Sequence, residues 1–589
     1  VSLDANQLPG GRFLWTDTEP ERVFMPEDFT EEHRMIAQLA EDFVANELDP
    51  LEEEMEQKLS YGLTVDKLRA AGELGLLGAE VPEAFGGIET DKVSALILSE
   101  KFGRVPSFFV SYGGQTGIGS LPIVFFGNER QKRTWLPDIV FGRKLAAYAL
   151  TEASAGTDAL GIRTTATLSE DGTHYVLNGS KQFISGSGFA DLFIVFAKVN
   201  GTDFTAFIVE RNSPGLTIGP EEKKMGLKGS STCALTFDQV PVPVENVLGE
   251  VGRGHIIAFN ILNIGRIKLG AGSLGLSKDV IGISARYANE RKQFGKSLSS
   301  FPLIGRKLAD MNIRAYALES MLYRTGGLLD EALGAINLGA EHSGAQSAKA
   351  IAEYALECSI IKVFGSETAG FAVDEGVQIH GGYGFTQEYR IERLYRDARI
   401  FRIFEGTNEI NRMLIPGTIV KRCSQGALPL LASEPALPEW NGAGSGAPLD
   451  LEQRLTESAR QWFRWLLAQA VRTFGHGLDQ EQEICAHLAD IAIHLYAMES
   501  VSIRARKRMA RDGEAKAQVS RLMTAAFIHE SYEKVLAWAR DIVSSLGIGE
   551  QGEQAWERLR APEEMAAFDR VEARRKVAAR VIEEEKYVC

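Results

Sequence analysis

Apolar residues change their spacing repeatedly along this chain, and the changes divide it. Residues 1–29 are polar and broken by Pro and Gly, and read as an N-terminal arm. From Thr30 to about residue 144 the period is helical. Met35, Leu39, Phe43 and Val44 share one face. Further helical segments are expected around Val65–Leu74, Lys92–Phe102 and Glu129–Trp135, with loops at Pro82–Gly87 and Gly113–Gly119. Between residues 145 and 250, β-branched and aromatic residues alternate. Asp171-Gly172 and Asn178-Gly179 are hairpin signals flanking His174–Leu177. Lys181–Ser185, Leu192–Val199 and Phe204–Glu210 read as further strands. Residues 251–422 return to long amphipathic helical runs. Pro429, Pro435, Pro438, Gly442, Gly444, Gly446 and Pro448 mark residues 423–450 as a linker. Residues 451–589 are helical again, with Ile484, Leu488, Ile491, Leu495 and Met498 on one face. The pattern predicts a mainly α fold with a small central β-domain and a C-terminal α-helical domain.

Composition narrows the function classes. A length of 589 residues gives a prior of about four domains. Apolar content of 44% and charged content of 24% describe a packed globular chain. The net charge of −15 argues against nucleic acid and against electrostatic docking on anionic lipid. It leaves room for a phosphorylated ligand gripped by local basic residues. Five scattered cysteines, none at metal-ligand spacing, suit a reducing compartment. No cationic segment precedes an apolar run, so no secretory signal is expected, and no apolar run approaches the roughly 20 residues of a membrane span. Gly270-Ala271-Gly272-Ser273-Leu274-Gly275 matches a dinucleotide-binding pattern, but it lies inside the helical run Ile256–Tyr287, where close helix packing explains it better. His487 and His494 share a helical face without a completing ligand, so no metal is expected.

Four stretches are candidates for chemistry. Glu405 follows the apolar Ile400-Phe401 and Ile403-Phe404 and precedes Gly406 and the helix-capping candidates Thr407 and Asn408. Such surroundings raise a carboxyl pKa and suit a general base; a first-turn glutamate favouring the helix dipole is the plainer reading, and the nine residues alone leave both open. Tyr148 to Asp158 is dense in small and hydroxyl residues, fit for wrapping a ligand or for a simple loop. Asn289 to Lys296 offers a guanidinium for a pyrophosphate, or a solvated helix end. Phe259 to Arg266 reads as an amphipathic helix.

Taken together, Gln378 to Phe385, Arg393 to Asp397 and the Phe404-Glu405-Gly406-Thr407 run resemble the C-terminal signature of the acyl-CoA dehydrogenase family. Tyr148 to Asp158 resembles its other signature. The resemblance implies a helical N-domain, a β-barrel-like middle domain and a helical bundle. It implies that Glu405 removes the α-proton of an acyl-CoA while FAD takes the β-hydride, and that electrons leave to an electron-transferring flavoprotein in fatty acid β-oxidation. The thioester carbonyl would be polarised by the Glu405 backbone N–H and a flavin ribityl hydroxyl. FAD would be held by Tyr148, Leu150, Thr151, Gly156 and Thr157, by Phe183, Ile184 and Ser185 (many relatives carry Trp-Ile-Thr), and by Thr407 and Glu409. Arg291, Gln293, Phe294, Gln378, Gly381 and Gly382 would grip the FAD of a neighbouring subunit, so a homodimer is implied. The acyl thioester would meet Thr157, Asn263, Gly265, Arg266, Phe404 and Gly406. Some relatives place the base at the position of Gly265; glycine there leaves Glu405. The linker and helical extension resemble the very-long-chain branch, and Gly113, Gly114, Gly117 and Gly119 are candidates for making room for a long tail. The linker is poor in basic residues, which argues against the membrane attachment of that branch. The setting implied is bacterial cytoplasm or mitochondrial matrix. Two other readings stay open: an acyl-CoA oxidase using oxygen, and a non-catalytic assembly protein on the same fold.

Overall fold

The computed structural model describes residues 7–338, 343–440 and 444–589. Residues 1–6 of the expected arm and Gly442 of the expected linker lie outside the described residues. The fold is mostly helical around one eight-stranded sheet. Its strands are β1 (Ala146–Ala149), β2 (Thr165–Leu168), β3 (His174–Ser185), β4 (Leu192–Val199), β5 (Asp203–Glu210), β6 (Leu216–Glu221), β7 (Thr232–Pro243) and β8 (Val247–Leu248). The order is β6-β7-β3-β2-β4-β5-β8, and β1 lies parallel to β4, with Ala146 opposite Leu192. β4 is apolar and buried almost throughout, the pattern of a strand covered on both faces. The sheet encloses its own core, including Phe193, Val195, Leu235 and Val240. A second core runs without a break from the N-terminal helices through the bundle into the C-terminal helices.

The two Gly-containing turn signals separate in the structure. Asp171-Gly172 does turn the chain: Gly172 N donates to Ser169 O at 3.0 Å, and β2 and β3 pair antiparallel. Asn178-Gly179 does not. It lies within β3, where the register with β7 slips between Leu177 and Gly179. Gly179 has φ 145°, and a Cβ there would stand 2.8 Å from Thr164 Cα. The dipeptide makes a β-bulge against a close neighbour, which local sequence does not distinguish from a turn. The expected loop at Gly113–Gly119 is instead a π-helical turn, Gly114–Gly119, joining the helices Pro106–Gly113 and Leu121–Phe126. The arm is docked: Phe13, Leu14 and Met25 are buried, Arg460 Nε donates to Phe13 O at 2.8 Å, and the rings of Phe13 and Tyr496 lie 4.7 Å apart.

Three long helices form the bundle: Gly254–Glu290, Pro302–Gly334 and Ala355–His380. The glycines of the first are packing notches. A Cβ on Gly270 would overlap Ile361, one on Gly272 would overlap the Phe109 ring, and one on Gly275 would overlap the Glu100 carbonyl. This is the close helix packing that the sequence suggested. In the C-terminal region the helices Gln482–Asp512, Gln518–Leu546 and Arg570–Glu584 lie against the bundle, and Asp450–Phe474 packs on the first two of them. Buried ion pairs fasten them: Arg324 to Glu499 at 2.8 Å, and Arg504 to Glu319 at 2.6 Å and to Glu27 at 3.0 Å. Among the described residues no helix is long and apolar enough to cross a membrane. Arg504→Ala leaves the Glu27 carboxylate without its buried cation, while Glu319 keeps Lys278 and Tyr587, and the expected cost is about 3–5 kcal/mol, seen as a lower denaturation midpoint. An unchanged midpoint would mean that the extension is held by apolar packing alone.

Candidate active site

The chain enters Glu405 from a short 3-10 turn, Arg399–Arg402, in which Phe401 is buried and stacks on Phe404 at 5.6 Å. It leaves through the helix Asn408–Ser424, whose first turn is capped by the Thr407 hydroxyl accepting from Ile410 N at 3.2 Å. Between them Glu405 has φ 58° and Gly406 φ 81°, two consecutive left-handed residues. A glutamate adopts this backbone only when its surroundings enforce it. Here Arg266 Nε donates to Glu405 O at 3.1 Å. Lys362 Nζ donates to Gly406 O at 2.6 Å and to Asn408 Oδ1 at 2.8 Å. Asn411 Nδ2 also donates to Gly406 O, at 3.0 Å. Arg266 is itself oriented by Asn263 Oδ1 at 2.8 Å.

The turn throws the Glu405 side chain across Gly265. A Cβ on Gly265 would lie 2.7 Å from Glu405 Oε2, so a side chain there would make the carboxylate move. Positions 265 and 405 share one volume, which gives a steric reason why a base at one excludes a base at the other. Oε2 is buried and has no hydrogen-bond partner among the described residues. Burial pushes the carboxyl up to about 7, while the charges of Arg266 and Lys362 restrain the rise. Burial likewise pulls the Lys362 ammonium down to about 7. Tyr148, buried, is held as a neutral phenol by burial and by the Glu405 charge. A carboxylate of this kind, unpartnered and tuned to neutral pH, is suited to taking a proton from carbon.

A second group of expected residues forms a wall beside the sheet. Glu152 accepts from Thr164 N at 3.0 Å, from Arg163 N at 2.6 Å and from the buried Lys181 at 2.8 Å. Gln182 N donates to Thr151 O at 2.9 Å, tying the loop of Thr151, Gly156 and Thr157 to β3. Ile184 and Leu150 are buried, whereas Phe183, also left-handed at φ 58°, leaves 61% of its surface exposed. No atom lies within 4 Å of where a Cβ on Gly156 would be. An outward aromatic face beside open backbone and hydroxyls fits a flat heteroaromatic ring, as FAD requires. The third group is apart. Arg291 lies over the Tyr383 ring at 5.1 Å, next to Gln378, Gly381 and Gly382, and Phe294 at the tip of a small hairpin is 93% exposed. Along the helix Gly254–Glu290 this cluster stands roughly 40 Å from Gly265, at about 1.5 Å per residue. One chain therefore does not bring Arg291, Gln293, Phe294, Gln378, Gly381 and Gly382 to Glu405. Thr407 and Glu409 lie beside Glu405 on the capped helix start.

Sequence reading missed Lys362 and Asn411, which hold the turn, and took Asn408 only as a capping candidate. A signal existed for Lys362: one lysine inside Ile360-Ile361-Lys362-Val363-Phe364, an apolar run, needs a buried acceptor. Gly265→Val, by displacing the carboxylate, is expected to lower turnover by at least about a hundredfold with cofactor content retained; near-normal turnover would remove Glu405 from this placement. Activity should rise with pH through about 7 as Glu405 ionises. Lys362→Met removes a cation that favours the anion, so the rising limb should move to higher pH; a limb that stays or moves down would show that Lys362 does not act on Glu405.

Comparison with known proteins agrees with this architecture. Family models for the acyl-CoA dehydrogenase N-terminal, middle and C-terminal domains match residues 30–143, 147–240 and 252–419, and a further acyl-CoA dehydrogenase C-terminal domain matches 459–560. A probable acyl-CoA dehydrogenase of Bacillus subtilis (strain 168) is 48% identical over 589 residues, covering 99% of both chains. The mitochondrial very long-chain specific acyl-CoA dehydrogenase of Homo sapiens is 37% identical over 79% of this chain and 73% of its own. The crystal structure of an acyl-CoA dehydrogenase from Bacillus anthracis complexed with FAD superposes with a TM-score of 0.95 at 47% identity, covering 99% of this chain and 100% of that one. The chain belongs to the acyl-CoA dehydrogenase family.

Proposed function

We propose that the protein oxidises long- or very-long-chain acyl-CoA thioesters to trans-2-enoyl-CoA in fatty acid β-oxidation, as a homodimer that passes electrons to an electron-transferring flavoprotein. It is a flavin-dependent acyl-CoA dehydrogenase, and its cofactor is FAD. The observation that carries the reaction is the Glu405 carboxylate, its Oε2 buried and unpartnered, raised to about 7 across Gly265. In this reading Glu405 takes the α-proton and its backbone N–H donates to the thioester oxygen, drawing charge from the α-carbon. FAD, when bound, would supply the acceptor for the β-hydride. Phe183, Thr151 and Thr157 form the wall for the flavin; Arg266 and Lys362 keep the base aimed while it gains its proton.

The finer parts have their own supports. A chain length beyond the short acyl groups is supported by the likeness to the human very-long-chain relative and by Gly113 and Gly114, where a Cβ would meet nothing within 4 Å. A homodimer is supported by the separation of the Arg291 cluster from Glu405 and by the exposed Phe294. The flavoprotein acceptor and a cytoplasmic or mitochondrial-matrix setting come with the family resemblance. The test is an anaerobic titration of the FAD-loaded protein with palmitoyl-CoA, followed through the visible flavin band. Bleaching is expected, and Glu405→Gln should slow it by about 10²–10⁴-fold. A flavin that stays oxidised with palmitoyl-CoA but bleaches with butyryl-CoA would remove the long-chain assignment. Bleaching at the wild-type rate in the variant would remove the base.

A further inference from the structure

The helix Asn408–Ser424 starts at the Glu405 turn and packs against both the bundle helix Ala355–His380 and the C-terminal helix Gln482–Asp512. Arg412, one turn along it, reaches both neighbours. Its Nε donates to Asp490 Oδ1 at 2.8 Å. Its two terminal nitrogens donate to the two oxygens of Glu367, at 2.7 and 3.1 Å. Glu367 Oε1 also accepts from Asn408 Nδ2 at 3.0 Å. A carboxylate paired with a guanidinium only accepts, so this contact fixes which way the Asn408 amide faces and turns Oδ1 toward Lys362. That oxygen accepts from Lys362 Nζ at 2.8 Å, and the same ammonium donates to Gly406 O. A line of hydrogen bonds thus runs from Asp490 in the C-terminal region to the Glu405 turn. Asn408 and Lys362 are buried, and Arg412 and Asp490 are mostly so.

Each link depends on the next. An ammonium on a flexible four-carbon stem is held in one place by its acceptors, and for Lys362 these are Gly406 O and Asn408 Oδ1. Glu367 holds the Asn408 amide, and Arg412 holds Glu367 by both oxygens. Asp490 takes Nε, the remaining edge of the guanidinium, and so fixes the plane of the fork. The other ion pairs at this seam lead elsewhere. Arg324 donates to Thr18, Glu499 and Ser500, and Arg504 to Glu27, Glu319 and Ser320. We propose that Asp490, Arg412, Glu367 and Asn408 are positioning residues for Glu405, a line through which the C-terminal helices hold the turn that carries the base. The proposal rests on the acyl-CoA reading above and gives the C-terminal extension a part in proton removal. The charged groups facing Lys362 are Glu405, Arg266, Glu409 and Glu367, and those facing Asp490 are Arg412, Glu367 and His487. Arg266 and Lys362 face Glu405 itself. A loosened Lys362 leaves Glu405 with less cationic support, so its carboxyl rises.

The experiment uses the full-length, FAD-loaded protein and whichever of palmitoyl-CoA or butyryl-CoA bleaches the wild type. The anaerobic rate of bleaching is measured against substrate concentration and pH. Asp490→Ala should lower the limiting rate by about tenfold, within what a small displacement of a reacting group costs. The half-saturating concentration should stay within about twofold, and the rising limb should move to higher pH. Asp490→Asn keeps an acceptor for Arg412 Nε and should restore most of the rate. Arg504→Ala loosens the same seam away from the line, and its folded protein should keep the wild-type rate and limb. Glu367→Gln breaks the line in the middle, so adding Asp490→Ala to it should change little more. The positioning role is overturned if Asp490→Ala leaves rate and limb unchanged, if Arg504→Ala moves them as far, or if Glu367→Gln and Asp490→Ala act additively. Should Asp490→Ala not retain FAD, Arg412→Lys replaces it, because one ammonium does not bridge both carboxylates; the same expectations and the same reversals apply. A wild-type protein that bleaches with neither thioester would refute the acyl-CoA reading itself, an outcome distinct from any difference between variants.

Discussion

Two buried cations on two different helices grip two successive carbonyl oxygens, and the site depends on that grip. Arg266 holds Glu405 O and Lys362 holds Gly406 O, so the strained left-handed pair has no freedom to relax into the helix that follows. The same charges act through space on the carboxylate. Desolvation raises its proton affinity and the two cations limit the rise, which leaves the carboxyl poised near neutrality. Geometry and proton affinity are thus set by one arrangement, and both require the helices Gly254–Glu290 and Ala355–His380 to lie close together. Gly270, with Ile361 seated against it, permits that approach.

Buried ion pairs recur at the seams of the molecule. Lys181 and Glu152 tie the loop after β1 to the bulged strand that carries Phe183. Arg324 with Glu499 and Arg504 with Glu319 and Glu27 join the bundle to the C-terminal helices and to the docked N-terminal segment. Lys268 and Glu80 join the bundle to the N-terminal helices. Such pairs add little stability over apolar packing, but a mispaired register would leave a charge buried alone. Each seam therefore accepts one alignment, and the active site lies where several aligned seams meet.

Glycine was the residue whose meaning depended most on context. Gly172 made the turn that its Asp-Gly pair suggests, whereas Gly179, in an equally strong Asn-Gly pair, made a bulge because Thr164 presses against it. Gly270, Gly272 and Gly275 were legible as helix notches because the surrounding period stayed helical over a long run. The Gly113–Gly119 stretch looked like a loop because glycine density masks a helical period; its π-helical turn is supported by neighbours distant in sequence. The short segment holding Phe13 and Met25 has no period at all, so its docking was invisible until the C-terminal helices supplied the surface.

The sequence by itself determined the order of helical and strand-rich regions and the ordered motifs of the family, and offered Glu405 as a candidate base, because each rests on residues close together in the chain. Tertiary structure alone decided that Lys362 and Arg266 hold the Glu405 turn, that Gly265 is the floor beneath its carboxylate, and that Arg291 stands roughly 40 Å along the helix from Gly265. The physical reason is the same throughout. Hydrogen-bond reach and steric overlap act across a few ångströms, and residues separated by about a hundred positions enter that range only when long helices are packed side by side.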